Sequence, residues 1–190
     1  MQISRSQQST VFPALVTLVA ATNPCPCGWH GDRDHGCRCC ISQRQHYWQR
    51  LSGPLLDRLD LQLRLERRSA KVMAAVLKQH SPMQTSASWC NAARIEQARQ
   101  RMQRRNPGAE SNGRLPAAAL RQSGAIEAAA LELWEQLINQ RGLSTRSSLQ
   151  LLRVARTIAD LNDRTSVDRN AVAEASCFRC TDLLKQPGAQ

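Results

Sequence analysis

The sequence predicts an α/β segment followed by an all-α segment, and three features of its patterning support that fold class. Residues 14–22 (ALVTLVAAT) form a continuous apolar run between Pro13 and Pro24, which is typical of a strand buried on both faces of a parallel sheet. Residues 59–65 (LDLQLRL) alternate apolar and polar side chains, which predicts a strand with one covered face. From residue 91 onward, apolar residues recur three or four positions apart, as on one face of an α-helix.

The α/β segment is expected to cover residues 1–68. Its first 13 residues place Ser and Gln between two short β-like stretches, which predicts a hairpin, and residues 41–51 predict a short helix. Residues 69–90 combine the helical stretch AKVMAAVLKQH with the looser SPMQTSAS, and we interpret them as a linker.

Residues 91–190 are expected to form a domain of four helices. The first helix begins after Asn91 and ends before the Pro- and Gly-containing loop 106–114. Its apolar face is expected to carry Ala92, Ile95, Ala98 and Met102. The second helical region spans 116–140 and is expected to break near Ser123.

The third and fourth helices have recognisable N-caps. Ser144 or Thr145 begins the third, and Asp168 begins the fourth. The buried stripe predicted for the third helix consists of Leu149, Leu152, Ala155, Ile158 and Ala159. Cys177 and Cys180 share one face of the fourth helix, and we interpret them as small core residues.

The charge balance indicates a polyanionic partner. The chain carries 26 Lys and Arg residues against 15 Asp and Glu, a net charge of +11, and arginine is well suited to forked contacts with phosphate. A solvated basic surface with no bound polyanion is the alternative interpretation. No apolar run is long enough to cross a bilayer and no signal peptide is recognisable, so the expected location is the cytoplasm and no membrane partner is expected.

Five of the eight cysteines fall within residues 25–40, which we call the cysteine loop. Cys25, Cys27, Cys37 and Cys39 form two C-x-C pairs, and four thiolates can surround a tetrahedral Zn²⁺ ion. One intervening residue is fewer than zinc knuckles usually have. Possible substitute ligands are Cys40, His30 and His35. A reduced cysteine loop without metal remains the alternative.

Several motifs together resemble one family of ATPases. They are NPCPCG directly after the apolar run, CRC, LSGPLLDRLDL, GLSTR and LLRVARTIADL, with ISR and FPA near the N-terminus. At these intervals they resemble the magnesium-chelatase-like AAA+ ATPases of the ComM/YifB family, over nearly the whole chain. The resemblance implies the C-terminal part of an AAA+ P-loop NTPase core, followed by a four-helix lid.

The resemblance also implies roles for particular side chains. Asn23 matches the sensor-1 position, where an amide orients the water that attacks the γ-phosphate. Arg58, in GPLLDR, matches the arginine finger that acts on ATP held by a neighbouring subunit. Taken without the resemblance, an ion pair with Asp57 or Asp60 is the alternative for Arg58. Arg146, in LSTR, matches sensor 2, and Arg153 and Arg156 on the same predicted helix are weaker cofactor-binding candidates.

Two further regions are candidates for contact with DNA. Residues 1–11 resemble the hairpin that points into the pore in related motors, so Arg5 is a candidate for contacting a phosphate, with a solvated arginine as the alternative. The helix at 92–105 carries Arg94, Arg99, Arg101, Arg104 and Arg105, which could bind a phosphate backbone or face solvent.

The sequence contains neither a Walker A nor a Walker B motif. The glycine pairs Gly31–Gly36 and Gly108–Gly113 have the Walker A spacing, but they are followed by Cys-Arg and Arg-Leu where the motif has Lys-Ser/Thr. By resemblance, family members carry both motifs and a further N-terminal domain upstream of this chain's start. The strand missing between 14–22 and 59–65 is expected to leave their apolar faces exposed.

The function implied by the resemblance is that of a subunit of a ring-forming ATPase, hexameric by resemblance, that acts on DNA. The ComM branch is implicated in branch migration during natural transformation. ATP and Mg²⁺ are the cofactors of the intact family member, and this chain is expected to contribute sensor and arginine-finger residues without hydrolysing ATP alone. The alternative is a non-enzymatic basic module that binds zinc and nucleic acid. Metal insertion into a porphyrin is a third hypothesis, which the cysteine loop disfavours.

Overall fold

The computed structural model describes residues 2–5, 8–11, 16–32, 34–51, 53–65, 67–78, 92–106, 108, 111–123 and 125–179. The chain divides into two compact units, Met1–Arg44 and Gln45–Gln190. The predicted hairpin is present at the start of the first unit. Strands β1 (Gln2–Arg5) and β2 (Gln8–Val11) pair antiparallel, with Arg5 opposite Gln8.

The buried strand predicted at 14–22 does not form in its described part. Residues 16–22 are irregular, and the side chains of Val16, Leu18 and Val19 are 84%, 69% and 89% exposed. Among the described residues, the only sheet is the β1–β2 hairpin. A parallel strand needs neighbours to pair its amides and cover its faces. The apolar composition of this segment therefore does not place it in a sheet here.

The strand predicted at 59–65 is also wrong. The segment is irregular and exposes Leu61, Leu63 and Leu65, although the backbone N–H of Gln62 donates to the carbonyl of Phe178 at 2.8 Å. The alternation predicted one covered face, but no described strand lies beside the segment to build that face. The predicted exposure of both apolar segments is observed.

Three helices occupy residues 41–78. They are α1 (Ile41–Gln49), α2 (Gly53–Arg58) and α3 (Ala70–Lys78). The second begins with Gly53-Pro54, and Pro fits the first turn of a helix because the N–H that it lacks would have no partner there. The third confirms a helix in the first part of the predicted linker, whereas residues 79–91, with the proposed Asn91 cap, lie outside the described residues.

The remaining helices form a bundle with one apolar core. Its members are α4 (Ala92–Arg105), α5 (Ala117–Ser123), α6 (Ala128–Arg141), α7 (Thr145–Leu161) and α8 (Arg169–Cys177). The break expected near Ser123 separates α5 from α6. Helix α7 is central, and Leu152, Ala155, Ile158 and Ala159 of its predicted stripe are buried, while Leu149 is half-buried.

Local sequence signals set the ends of these helices. Ser144 Oγ accepts from Ser147 N at 3.1 Å to cap α7, and Asp168 Oδ1 accepts from Ala171 N at 2.8 Å to cap α8. Gly142, with a φ of 61°, ends α6 in the left-handed conformation that glycine adopts readily. The core role predicted for Cys177 is wrong, because its side chain is exposed at the last position of α8, and Cys180 lies outside the described residues.

The described part of the chain is therefore mostly helical. No helix within it combines the length and the apolar character that crossing a bilayer requires.

Candidate metal centre and arginine sites

Four cysteines of the cysteine loop converge on one point. The Sγ atoms of Cys25, Cys27, Cys37 and Cys39 all lie within 4.8 Å of one another. Cys25 Sγ is 3.3 Å from Cys27 Sγ, and each of these atoms is 3.6 Å from Cys37 Sγ. Sulfur ligands about 2.3 Å from a tetrahedral Zn²⁺ ion lie about 3.8 Å apart, so these separations suit that ion.

The backbone of the Cys-Pro-Cys-Gly turn brings the first pair together. Gly28 has a φ of 81°, which favours glycine, and its N–H donates to the carbonyl of Cys25 at 3.0 Å. The N–H of Cys27 donates to Cys39 Sγ at 3.4 Å, which links the two C-x-C pairs. Cys25 is fully buried, whereas the other three cysteines are half-buried. The turn compensates for the short spacing between paired cysteines.

The pKa values of Cys27 and Cys39 shift in opposite directions. The backbone N–H of Trp29 is the main reason that the pKa of Cys27 falls to about 6, and it acts against burial. Burial is the main reason that the pKa of Cys39 rises to about 12. A bound cation reverses such an increase, because it favours every thiolate around it. The donor set therefore fits a divalent, thiolate-preferring metal.

The substitute ligands lie in other interactions. Cys40 Sγ is 3.1 Å from the hydroxyl of Ser42, and His30 Nδ1 is 3.3 Å from an Arg44 nitrogen. His35 stacks on Trp29 with ring centroids 4.3 Å apart, and its Nδ1 lies 3.2 Å from Asp32 Oδ1. None of these groups belongs to the convergent set of described residues, which consists of the four predicted cysteines.

Arg58 and Arg146 occupy exposed positions on elements that contact each other. Arg58 ends α2, and its Nη1 donates to the Pro54 carbonyl of the same helix at 2.8 Å. Arg146 lies in the first turn of α7. Between them is Asp57, whose carboxylate accepts from the hydroxyl of Ser144 at 3.0 and 2.9 Å and from the hydroxyl of Ser147.

The surroundings of Asp57 favour the charged form of its carboxylate. Burial alone would raise the pKa of Asp57. The hydrogen bonds from Ser147 and Ser144 and the positive charges of Arg179 and Arg146 outweigh burial, and the pKa lies below its usual range. Asp57 is therefore ionised at neutral pH and attracts Arg146.

Arg153 and Arg156 point into the bundle. Arg153 donates through Nε and Nη2 to the carbonyl of Leu115 at 3.0 and 2.7 Å. Arg156 is 1% exposed and donates to the carbonyls of Thr165 and Arg164 and to Asp160. Both side chains hold the bundle together, and a cofactor-binding role for either stays a prediction.

The sequence did not indicate the network around Asp160. The carboxylate of Asp160, 2% exposed, accepts from Arg105, Asn112 and Arg156. We call these four residues the charged network. Only the Arg156–Asp160 pair, four residues apart on α7, has a spacing that could have indicated a contact.

Three arginines of α4 are also engaged with α7. Arg94 donates to the Leu161 carbonyl at 2.6 Å, Arg101 to the Asp160 carbonyl at 2.9 Å, and Arg105 to the Asp160 carboxylate. Cations favour the carbonyl end of a helix, which carries partial negative charge. Arg99 and Arg104 are exposed, so they are the α4 residues for which the predicted phosphate contact remains a prediction.

Two predicted residues lie in the first unit. Asn23 follows the irregular segment 16–22 and is exposed, and its carbonyl accepts from the Thr22 hydroxyl at 3.4 Å. Arg5 is the last residue of β1. Their roles as a sensor and as a DNA contact stay predictions.

Two family models match the chain. That of magnesium chelatase, subunit ChlI, matches residues 1–73, and that of the C-terminal part of the same subunit matches residues 83–179. The residues between the two matches fall within the predicted linker at 69–90.

Curated relatives match over almost the whole chain. The uncharacterized protein YifB of Escherichia coli is 34% identical over 184 residues, which is 97% of this chain and 35% of that protein. The uncharacterized protein Rv2897c of Mycobacterium tuberculosis is 32% identical over 182 residues, 95% of this chain and 35% of that protein. The competence protein ComM of Haemophilus influenzae is 31% identical over 186 residues, 97% of this chain and 34% of that protein. The chain spans about a third of the length of these relatives.

Proposed function

Because this chain belongs to the magnesium chelatase subunit ChlI family and is similar to ComM and YifB, we propose that it acts as part of a ring-forming AAA+ ATPase that moves on DNA during recombination or competence. In such a ring, Arg58 would act on ATP held by the neighbouring subunit and Arg146 on nucleotide beneath its own helical domain. The chain's own sequence has no motif that cradles the phosphates, so ATP and Mg²⁺ would be held elsewhere in the assembly.

One observation carries this proposal. Of the three arginines on α7, Arg153 and Arg156 are engaged with carbonyls inside the bundle, whereas Arg146 is exposed beside the helix that presents Arg58. A planar cation can stabilise the charge of a transferring phosphoryl group only if its guanidinium can reach it. The guanidinium groups of Arg58 and Arg146 are therefore available to contact nucleotide, whereas those of Arg153 and Arg156 are engaged inside the bundle.

The test is to mix this chain with a full-length YifB relative and measure ATP hydrolysis. The chain alone should not hydrolyse ATP. When the chain is added to the relative, ATP turnover per full-length subunit should increase, and Arg58→Ala should remove that increase. Arg121→Ala, which alters an exposed arginine on α5, is the matched control and should behave as the unsubstituted chain. Equal behaviour of Arg58→Ala and Arg121→Ala would contradict the proposal.

A second function is favoured by the four-cysteine cluster, namely a zinc centre that stabilises the cysteine loop. Zn²⁺ bound there would act structurally, because four protein ligands leave no open position for a substrate. The chain purified without chelator should contain one equivalent of zinc by elemental analysis. Substitution with Co²⁺ should give the visible absorption of a tetrahedral thiolate site, and absence of both signals would refute the zinc centre.

The alternative of a nucleic-acid-binding module is separable from the motor. Binding of single-stranded DNA by the isolated chain, with affinity that falls steeply as salt increases, would favour the module. Arg99→Ala with Arg104→Ala should weaken that binding if α4 is the contact surface. Unchanged binding would place the contact elsewhere.

A further inference from the structure

Asp57 connects two elements that are distant in sequence. It lies in the last turn of α2, one residue before Arg58, and its carboxylate holds the hydroxyls of Ser144 and Ser147, which are 87 and 90 residues away. Ser144 is the N-cap of α7, and its Oγ accepts from Ser147 N while its hydroxyl proton is donated to Asp57. The carboxylate therefore contacts the same hydroxyl that caps the helix.

The position is electrostatically favourable for a carboxylate. Helix α7 has 17 residues, and its first turn carries partial positive charge from unpaired backbone N–H groups. The Arg146 charge adds to this field, because it lowers the pKa of Asp57 together with the Arg179 charge. Loss of the Asp57 charge would remove the attraction to Arg146 and weaken the hydrogen bonds from Ser144 and Ser147.

A second link joins α7 to the segment that directly follows α2. Asp60, two residues after Arg58, accepts from the side-chain amide of Gln150 on α7, and the oxygen of that amide accepts from Arg179. Side chains on both sides of Arg58 thus hold this part of the chain to α7, with Asp57 inside α2 and Asp60 two residues beyond its end. The side chain of Arg58 itself makes its hydrogen bond within its own helix, so its placement relative to α7 depends on these neighbours.

We propose that Asp57 is a positioning residue, which holds Arg58 at a fixed place relative to the N-terminus of α7. This inference rests on the proposed function, because it assigns to Asp57 the placement of the arginine that would act on a neighbour's ATP. Asp57 acts through Arg58 and does not touch nucleotide itself. The consequence is that a shift of the first turn of α7, where Arg146 lies, moves Arg58 as well.

The test uses the mixed assemblies described for Arg58, with ATP concentration varied so that kcat and KM separate. Asp57→Asn, which keeps the shape and removes the charge, should lower about tenfold the part of kcat that the added chain contributes, the effect of losing about 1.4 kcal/mol of transition-state stabilisation, and leave KM unchanged. Ser147→Ala, which breaks the link from the α7 side, should lower kcat less. Asp57→Glu should restore part of the loss. Asp163→Asn is the control, since Asp163 is an exposed carboxylate two residues beyond the C-terminal end of α7, where it pairs with Arg101 of α4.

A double substitution separates positioning from a general structural role. If Asp57 acts through Arg58, Asp57→Asn should have no further effect in a chain that already carries Arg58→Ala. A further loss in that background, or a kcat equal to that of Asp163→Asn, would overturn the inference while the proposed function stands. If adding the unsubstituted chain leaves turnover unchanged, the proposed function fails and this inference fails with it. The same holds if the Arg58→Ala chain changes turnover as much as the unsubstituted chain does.

Discussion

The cysteine loop and the helical bundle both gather polar side chains, but they neutralise them by different means. In the cysteine loop, four sulfur atoms lie within 4.8 Å of one another, and their described hydrogen bonds are with one another and with a backbone amide. In the bundle, the carboxylate of Asp160 is surrounded by Arg105, Asn112 and Arg156, which bring their own positive charge and donors. The bundle thus supplies positive charge for its buried carboxylate, whereas the described hydrogen-bond partners of the four sulfur atoms carry none.

The two regions differ in apolar burial in the same way. The bundle has a continuous core built from α5 to α8 and the segment between α4 and α5. Among residues 16–32 and 34–44, Cys25 is the only buried apolar residue. Small domains with little core are usually stabilised by metals or disulfides. From this comparison we expect the loop's structure to depend on a bound metal, and the bundle's on its own side chains.

The largest expected effect is loss of the loop on metal removal. Cys25→Ser, or treatment with a strong chelator, should abolish zinc binding and with it the folding free energy of the loop, which is about 10–16 kcal/mol for structural zinc in zinc-finger peptides. Hydrogen exchange of residues 25–40 should become fast, while exchange of α7 stays slow. Cys177→Ser, an exposed cysteine on α8, is the control and should change neither. Slow exchange of the loop after metal removal would show that it is held by its backbone turns.

The next largest effect should come from breaking the charged network. Asp160→Ala removes the carboxylate that neutralises the buried guanidinium groups of Arg156 and Arg105, and breaking such a buried pair costs about 3–5 kcal/mol. Urea unfolding followed by far-UV circular dichroism would measure the change. Asp163→Ala removes an exposed carboxylate, 78% exposed as a side chain, and should cost about 0–1 kcal/mol. Equal losses would mean that burial of Asp160 contributes nothing beyond its charge.

The sequence predicted features that depend on neighbours within a few residues. The sequence predicts the cap Asp168, and it gives Ser144 as one of two candidates with Thr145, because such a cap acts on an amide three residues away. The four cysteines were predicted as one site, since their spacing confines them to one loop. The strand predictions are wrong for 59–65 and for the described residues 16–22 of the segment 14–22. A strand needs neighbouring strands to pair with, and an apolar or alternating sequence does not show whether those neighbours are present. Asp57 and Asp160 were missed for the same reason, as their partners Ser147 and Arg105 lie 90 and 55 residues away.

Acid should affect the two regions through different groups. Burial raises the pKa of Asp160. The hydrogen bonds from Arg105 and Asn112 and the charges of Arg156 and Arg105 lower it by a larger amount, so the pKa lies below its usual value. A carboxylate with a lowered folded pKa stabilises the protein above its unfolded pKa, near 3.9, and this stability is lost as pH falls through the folded value.

Urea midpoints of the bundle should therefore fall between about pH 5 and pH 2. The difference in stability between the unsubstituted chain and Asp160→Asn should shrink over that range, because both side chains are then uncharged. In the cysteine loop, protons compete with metal for thiolates, so zinc should leave before the bundle loses stability. Zinc that is retained at pH 3 would contradict that order.

The smallest predicted effect tests whether arginine contacts to carbonyls matter to the bundle. Arg153 donates twice to the Leu115 carbonyl, and Leu115 is a fully buried member of the core, so Arg153→Ala should destabilise the bundle by about 1.5 kcal/mol. Arg153→Lys keeps the charge but cannot donate from two nitrogens, and it should recover less than half of that loss. Neither change should alter the zinc content of the cysteine loop. If Arg153→Ala leaves the urea midpoint unchanged, the Leu115 carbonyl is satisfied by water, and Arg153 becomes as available for nucleotide as Arg146.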